Sequence, residues 1–268
     1  MTVRATALRI LAAVPAVALA VFAYLWLTLP DVRALRTQNP TTTAFIELRA
    51  QEARERGLKP RHVQRWTSYT RISADLKRAV LVAEDDAFWQ HEGVDFEQLQ
   101  ESFEKDLAQG RFVRGGSTIT QQLAKNLYLS PSKNPLRKLR EFVIARRLEA
   151  ELKKARILEL YLNVIEWGDG IYGVEAASHA YFNMPASGLG PGESALLAAA
   201  IVNPRILNPA RPSNRLLKRQ QLILKRMGAV TPPEPASPSE PVPTPPEPES
   251  QPQPKLQPEQ LAQPERQQ

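Results

Sequence analysis

The first pattern along the chain is an apolar block. Residues 10–29 are 20 positions without a charge. At 1.5 Å per residue a helix of that length crosses the roughly 30 Å hydrocarbon core of a bilayer. Pro15 is compatible with a membrane helix, and Tyr24 and Trp26 suit the interface. A cleaved signal peptide, with Ala18-Leu19-Ala20 as its small-residue site, is the competing reading. The apolar run continues nine residues past that site, which favours an uncleaved anchor. Arg4 and Arg9 precede the run, so residues 1–9 are read as a cytoplasmic leader and the remainder as exported.

Residues 30–69 are polar and weakly patterned and read as a linker, with Trp66 and Tyr69 packing onto the domain that follows. Ser73 then caps a helix whose apolar positions are Leu76, Ala79, Val80, Val82 and Ala83. This helix delivers Glu84-Asp85-Asp86, then Phe88, Trp89, His91 and Gly93. A second amphipathic helix is expected over 96–107 and a basic loop over 111–114. Gly115-Gly116 form a tight turn before a further helix, with Ser117 as its expected N-cap. On that helix Thr118, Gln122 and Lys125 share one face, while Ile119, Leu123 and Leu127 make an apolar stripe.

Ser130-Pro131-Ser132 breaks the pattern. Residues 136–162 read as one or two long helices with Leu139, Phe142, Val143, Ile144, Leu148 and Leu152 on the apolar face. Arg137 and Glu141 lie one turn apart and point the same way. Gly168, Gly170 and Gly173 mark a turn region. Helices over 176–181, 193–202 and 213–227 complete the folded part. No segment alternates with period two for long, so the fold class is mainly α. The domain is assigned to 70–228 and a disordered proline-rich tail to 229–268.

Composition sharpens this picture in two ways. From Thr231 onward 13 of 38 residues are proline, and that stretch carries a net charge of −4. With +7 on the whole chain, the first 230 residues hold a net +11. A surface that basic favours a polyanion, an anionic membrane or a phosphorylated substrate. There is no cysteine, which excludes disulfides, thiol catalysis and cysteine-held metals.

Candidate chemistry centres on Glu84. A carboxylate at the end of an apolar helix has its charged form disfavoured, which raises its pKa toward what a general base needs near neutrality. An exposed acidic patch is the competing reading. Asp85 is a candidate partner for an arginine, and His91, with no second histidine nearby, is a poor metal ligand. Lys125, Lys133, Arg137 and Lys138 cluster around a polar turn and could stabilise a diphosphate leaving group. A basic helix surface near an anionic membrane would look the same. Base, cation cradle and anchor together suggest group transfer from a lipid diphosphate.

These motifs resemble those of glycosyltransferase family 51, the peptidoglycan transglycosylases. Residues 84–93 (EDDAFWQHEG) resemble the first motif, 115–122 (GGSTITQQ) the second and 137–141 (RKLRE) the third. Residues 154–163 (KARILELYLN) resemble the fourth, and Ala195-Leu196-Leu197-Ala198 with Asn203-Pro204 the last. The resemblance implies a lysozyme-like α domain with a membrane-facing jaw, polymerising lipid II into the nascent glycan strand. It implies that Glu84 is the base, that Glu141 is a second essential carboxylate, and that Lys125 and Arg137 hold the diphosphate. Ser117, Thr118, Gln122 and Lys138 match other pocket positions, and Asp85, Phe88 and His91 match residues that shape the cleft. Lys133 stands where arginine is frequent in the family, which forfeits bidentate phosphate geometry.

Some members use a divalent metal, Mg or Mn, at the diphosphate; the sequence shows no all-protein metal cage, so no metal ligand is assigned. Only the proline-rich tail follows the domain, so the monofunctional branch is the expected subtype. Ser130-x-x-Lys133 spells a β-lactam-reactive signature but lacks its partner motifs. The resemblance implies a single-pass protein of the bacterial inner membrane with a periplasmic catalytic domain, and cell-division or elongation proteins as candidate partners. Competing readings are a lytic enzyme of lysozyme type, an anchored non-catalytic scaffold and, more remotely, a nucleic-acid binder; no nucleic-acid-reading module is recognisable.

Overall fold

The computed structural model describes residues 13, 15–17, 19–20, 23–24, 27–95, 100, 116–129 and 135–228. Much of the expected anchor at 10–29 lies outside them, as do nearly all of the expected helix at 96–107, the basic loop at 111–114, residues 130–133 with Lys133, and the tail at 229–268. Among the described residues no helix is long and apolar enough to cross a membrane.

The folded part is mainly helical, as the periodicity predicts. We label its helices α1 (Ala44–Glu55), α2 (Ala74–Glu84), α3 (Ile119–Tyr128), α4 (Pro135–Glu151), α5 (Lys154–Val164), α6 (Val174–Phe182), α7 (Pro191–Ala200) and α8 (Asn214–Met227). Three short strands, β1 (Val63–Gln64), β2 (Glu166–Gly168) and β3 (Ile171–Tyr172), form one sheet in the order β1-β3-β2. β1 runs parallel to β3, and β2 runs antiparallel to it across a bulge. Glu166, Trp167 and Gly168 are all buried. Such a strand has no solvent face and cannot show the alternation that marks a half-exposed one.

The core has two connected parts. In one, α2 packs against α7 and α8. Leu76, Ala79, Val80 and Leu81 are at most 1% exposed, and the buried Ala195, Ala198, Ala199 and Ala200 of α7 let the helix axes approach closely. Ser73 caps α2 as expected, its Oγ accepting from the Asp75 N–H at 3.2 Å. In the other part, α3 packs against both α4 and α5. Ile119, Leu123, Ile144, Leu148, Ile157, Leu158 and Tyr161 are fully buried there.

Residues 136–162, expected as one or two helices, form two, separated at Leu152-Lys153; another expectation on this stretch is corrected. No glycine or proline marks that corner; Leu152 is buried, and Arg36 bonds the carbonyl and carboxylate of Glu151 across it. Leu139 is 43% exposed, because burial along α4 begins only at Glu141 and Ile144.

The segment 30–69, expected as a linker with Trp66 and Tyr69 packing onto the domain, is stitched to it over more of its length. Val32, Leu35 and Ile46 are buried, and α1 packs against α3. Arg156 donates to the carbonyls of Leu35 and Gln38 and lies over the Trp66 ring at 5.6 Å. Polar stretches hide such packing, because the few apolar positions are spread over non-helical backbone that has no single period.

Asn163 locks this segment down. It is fully buried. Its Oδ1 accepts from the Thr67 N–H at 2.9 Å, and its Nδ2 donates to the carbonyls of Thr67 at 2.9 Å and Glu159 at 2.8 Å. Asn163→Ala leaves a buried N–H and two carbonyls short of partners, at about 1–3 kcal/mol for each group stranded. We expect it to lower the urea-unfolding free energy by about 2–4 kcal/mol; a change below about 0.5 kcal/mol would show that the segment is not held through this side chain.

Candidate active site

Glu84 is the last residue of α2, and Asp85 is its C-cap. Asp85 is 3% exposed and accepts the first N–H of α3, from Ile119, at 2.8 Å. A carboxylate there meets both an unsatisfied N–H and the positive end of the helix dipole. The other partner of Asp85 is His91 Nε2, at 2.9 and 3.1 Å from the two oxygens. The Gly93 N–H donates to His91 Nδ1 at 3.1 Å, so Nδ1 is the acceptor and Nε2 carries the proton. The Gly93 carbonyl accepts the Thr118 hydroxyl at 2.7 Å, and Thr118 is the N-cap of α3. The ring Asp85–His91–Gly93–Thr118–α3 is thereby closed, and it fixes the end of α2 against the start of α3.

Asp85 pairs with a histidine here, where the sequence suggested an arginine. The cap of α3 is Thr118 rather than Ser117. Thr118 and Gln121 form a reciprocal capping box, and the Thr-x-x-Gln spacing was the available signal. Asp85, Phe88 and Thr118 are buried, so they hold the wall of the site and leave the surface to others. Lys154 Nζ lies 4.4 Å from the Phe88 ring centre, over its face.

Across this joint, Gln122 on the next turn of α3 donates its Nε2 to Glu84 Oε2 at 2.9 Å. Gln122 Oε1 accepts the Tyr161 hydroxyl at 3.0 Å. The chain Tyr161–Gln122–Glu84 sets which end of the amide faces the carboxylate. Burial pushes the Tyr161 phenol well above its ordinary range, with the Glu84 and Asp85 charges adding to the shift, so Tyr161 stays a donor.

Glu84 is half-buried, and its pKa is raised. Desolvation is the main cause; the Gln122 hydrogen bond and the positive fields of Arg219 and Lys125 offset part of it, and the Asp85 charge adds to it. Lys125, one turn beyond Gln122, is shifted down, chiefly by burial. Glu141 and Glu84 pull it up, while Arg137 and Lys138 push it down. Lys125 forms no salt bridge among the described residues and sits electrostatically between two groups. On one side is the lone Glu84. On the other, Glu141 is 3% exposed, accepts from Arg137 at 2.9 Å and is paired with Lys138. Lys138 also reaches the exposed Ser117 hydroxyl at 3.3 Å.

The structure therefore gathers Glu84, Gln122, Lys125, Arg137, Lys138, Glu141 and Ser117 along one polar path, with Asp85, Phe88, His91 and Thr118 behind it. Sequence reasoning missed two members. Arg219, on α8, faces Glu84 electrostatically and donates its Nε to the Ala199 carbonyl at 3.2 Å. Tyr161 orders Gln122. Arg219 gave no signal, being one of several cations on an amphipathic helix; Tyr161 lies inside an apolar run and reads as core.

A mainly helical domain with a half-buried carboxylate near a cation cluster suits general-base group transfer with an anionic leaving group. Residues 51–228 match the Transglycosylase family model, and the chain belongs to that family. Among its relatives, the biosynthetic peptidoglycan transglycosylase of Nitrosomonas eutropha is 48% identical over 192 residues, covering 72% of this chain and 79% of the relative. The protein of that name from Laribacter hongkongensis is 48% identical over 195 residues, covering 73% and 86%. The one from Thiobacillus denitrificans is 48% identical over 221 residues, covering 81% and 94%.

Asp85→Ala strands the Ile119 N–H and His91 Nε2. We expect a loss of about 2–4 kcal/mol in unfolding free energy, with Asp85→Asn costing less because an amide oxygen still accepts from Ile119. Chemical denaturation of both variants checks the order; equal losses would mean that the charge at the α3 terminus, and not the bond itself, carries the joint.

Proposed function

We propose that this protein polymerises peptidoglycan glycan chains from lipid II, with Glu84 as general base. The growing chain, linked through its MurNAc to undecaprenyl diphosphate, is the donor. The GlcNAc 4-hydroxyl of lipid II attacks the anomeric carbon of that MurNAc. Glu84 takes the hydroxyl proton, the new β-1,4 bond forms with inversion, and the bond to the diphosphate breaks with its electron pair leaving on the diphosphate. Lys125, Arg137 and Lys138 neutralise the charge that gathers there. Glu141, held between Arg137 and Lys138, orients them. Family membership supports the reaction class. The observation that carries the residue roles is the position of Lys125, in the field of the unpaired Glu84 and of the Arg137–Lys138–Glu141 cluster at once.

A divalent metal is a proposal the chain's residues do not favour. Among the described residues no three His, Asp or Glu side chains converge to hold an ion, and both Glu141 oxygens are engaged by cations. The apolar run at 10–29, read as a single inner-membrane anchor, would hold the catalytic domain on the periplasmic side, beside its lipid substrate and any division or elongation partner.

The central test is purified protein incubated with lipid II. Polymer together with released undecaprenyl diphosphate supports the reading; clearing of isolated cell-wall sacculi without polymerisation identifies a lytic enzyme instead. Glu84→Gln is expected to lower turnover by about 10²–10⁴-fold without loss of stability. The sign follows from linkage: a carboxyl whose folded pKa is raised gives up stability as pH rises through that pKa, and the neutral amide avoids this loss. A variant that polymerises at the wild-type rate would remove Glu84 from the chemistry.

The pH dependence of kcat/KM should be bell-shaped. Its acid limb should lie above the ordinary glutamate value of about 4.3 and its alkaline limb below the ordinary lysine value of about 10.4. An acid limb at the ordinary value would contradict the burial of Glu84. Arg137→Ala should weaken binding of a diphosphate substrate analogue by about tenfold or more, measured by calorimetry. Unchanged affinity would place the diphosphate elsewhere.

A further inference from the structure

A second cleft opens between α1 and the β2–β3 hairpin. None of its lining residues belongs to the Glu84–Lys125–Arg137 group. Its inner wall is a set of paired charges, two arginines against three carboxylates. Arg49 pairs with Glu52 at 2.8 Å and with the buried Glu166 at 3.2 Å. Arg205 pairs with Asp169 at 3.1 Å and lies 3.7 Å from Glu52. Its mouth is unbalanced: Arg56, Lys59 and Arg61 line it and form no salt bridge among the described residues. Five cations thus face three carboxylates.

One observation points to a ligand in this cleft. Tyr172 lines it and is 1% exposed, yet its hydroxyl has no hydrogen-bond partner. That hydroxyl lies in the fields of Glu166, Arg49, Asp169 and Arg205, the groups that wall the cleft. Burial pushes the phenol up, so it is a donor lacking an acceptor, a state that ordinary packing avoids. The backbone and Cβ of Arg61, meanwhile, lie against the hairpin turn. Gly170 sits at φ +68°, and a Cβ there would fall 2.7 Å from the Arg61 Cβ and carbonyl oxygen. The Val63 N–H also donates to the Gly170 carbonyl at 2.9 Å. Only glycine lets the hairpin turn lie this close to Arg61.

The charges narrow the ligand. Surplus cations and an O–H donor call for an anionic acceptor group. The Glu52 and Asp169 carboxylates beside them repel a bare dianion but accept N–H groups. A carboxylate flanked by amide N–H groups meets both demands. We propose that this cleft binds the carboxylate terminus of a peptide, with Arg61 and Tyr172 on the carboxylate and Glu52 and Asp169 on the flanking amides.

The test uses the full chain in detergent and two N-acetylated tetra-alanine probes, one with a free C-terminal carboxylate and one amidated. Calorimetry is expected to show the free acid binding about tenfold or more tighter than the amide. Tyr172→Phe and Arg61→Gln should each weaken it by about tenfold, while Glu84→Gln leaves it unchanged. Arg61 is exposed, so its variant reads out even if Tyr172→Phe disturbs folding. Equal binding of the two peptides, no binding at millimolar concentration, tighter binding of inorganic phosphate, or wild-type affinity in Arg61→Gln would each overturn the assignment. Peptide binding lost in Glu84→Gln would place the peptide in the catalytic site and would also overturn it.

Discussion

The site depends on one buried carboxylate at the start of a helix. Asp85 closes α2 and accepts the first free N–H of α3, so two helices far apart in sequence share a joint. His91, oriented by the Gly93 N–H, fills the second acceptor direction, and Thr118 returns the ring to α3 through the Gly93 carbonyl. Every member of this ring is satisfied by another, and this makes a buried ionised network tolerable. The geometry passes outward without further support: Glu84 is one residue before the joint, and Gln122 and Lys125 are one and two turns after it.

Two carboxylates on this path then meet opposite fates. Glu141 is paired with both Arg137 and Lys138. Glu84 has a neutral amide as its hydrogen-bonding neighbour and only the distant fields of Arg219 and Lys125. Burial therefore dominates at Glu84, and its proton affinity rises. The contrast in partners arises from tertiary packing, since both residues are glutamates on helices.

The weakly patterned residues before α2 form a structural collar. Asn163 ties the backbone at Thr67 to the end of α5, β1 adds to the hairpin strand β3, and Arg49 of α1 pairs with the buried Glu166 of β2. The same collar walls the second cleft. Its charges are mostly spent on one another inside and left over at the mouth, a distribution that sets it apart from the cation cluster around Lys125.

Much of this was legible in the sequence, and the reason is local. Apolar spacing fixed α2 and α3 to within a few residues, Ser73 and Ser213 announced two helix starts, and Arg137 and Glu141 meet because residues four apart on a helix share a face. Glu84 stood out because an oily helix ends on it. Tertiary structure decided what no window of residues contains. It chose His91 as the partner of Asp85 and brought Arg219 from the last helix toward Glu84. It turned Tyr161 from core filler into the residue that orients Gln122, and it broke 136–162 at a corner held by Arg36. Each of these is a contact between segments remote in the chain, where side-chain identity limits which bonds can form but only the packing of helices determines which groups come within reach.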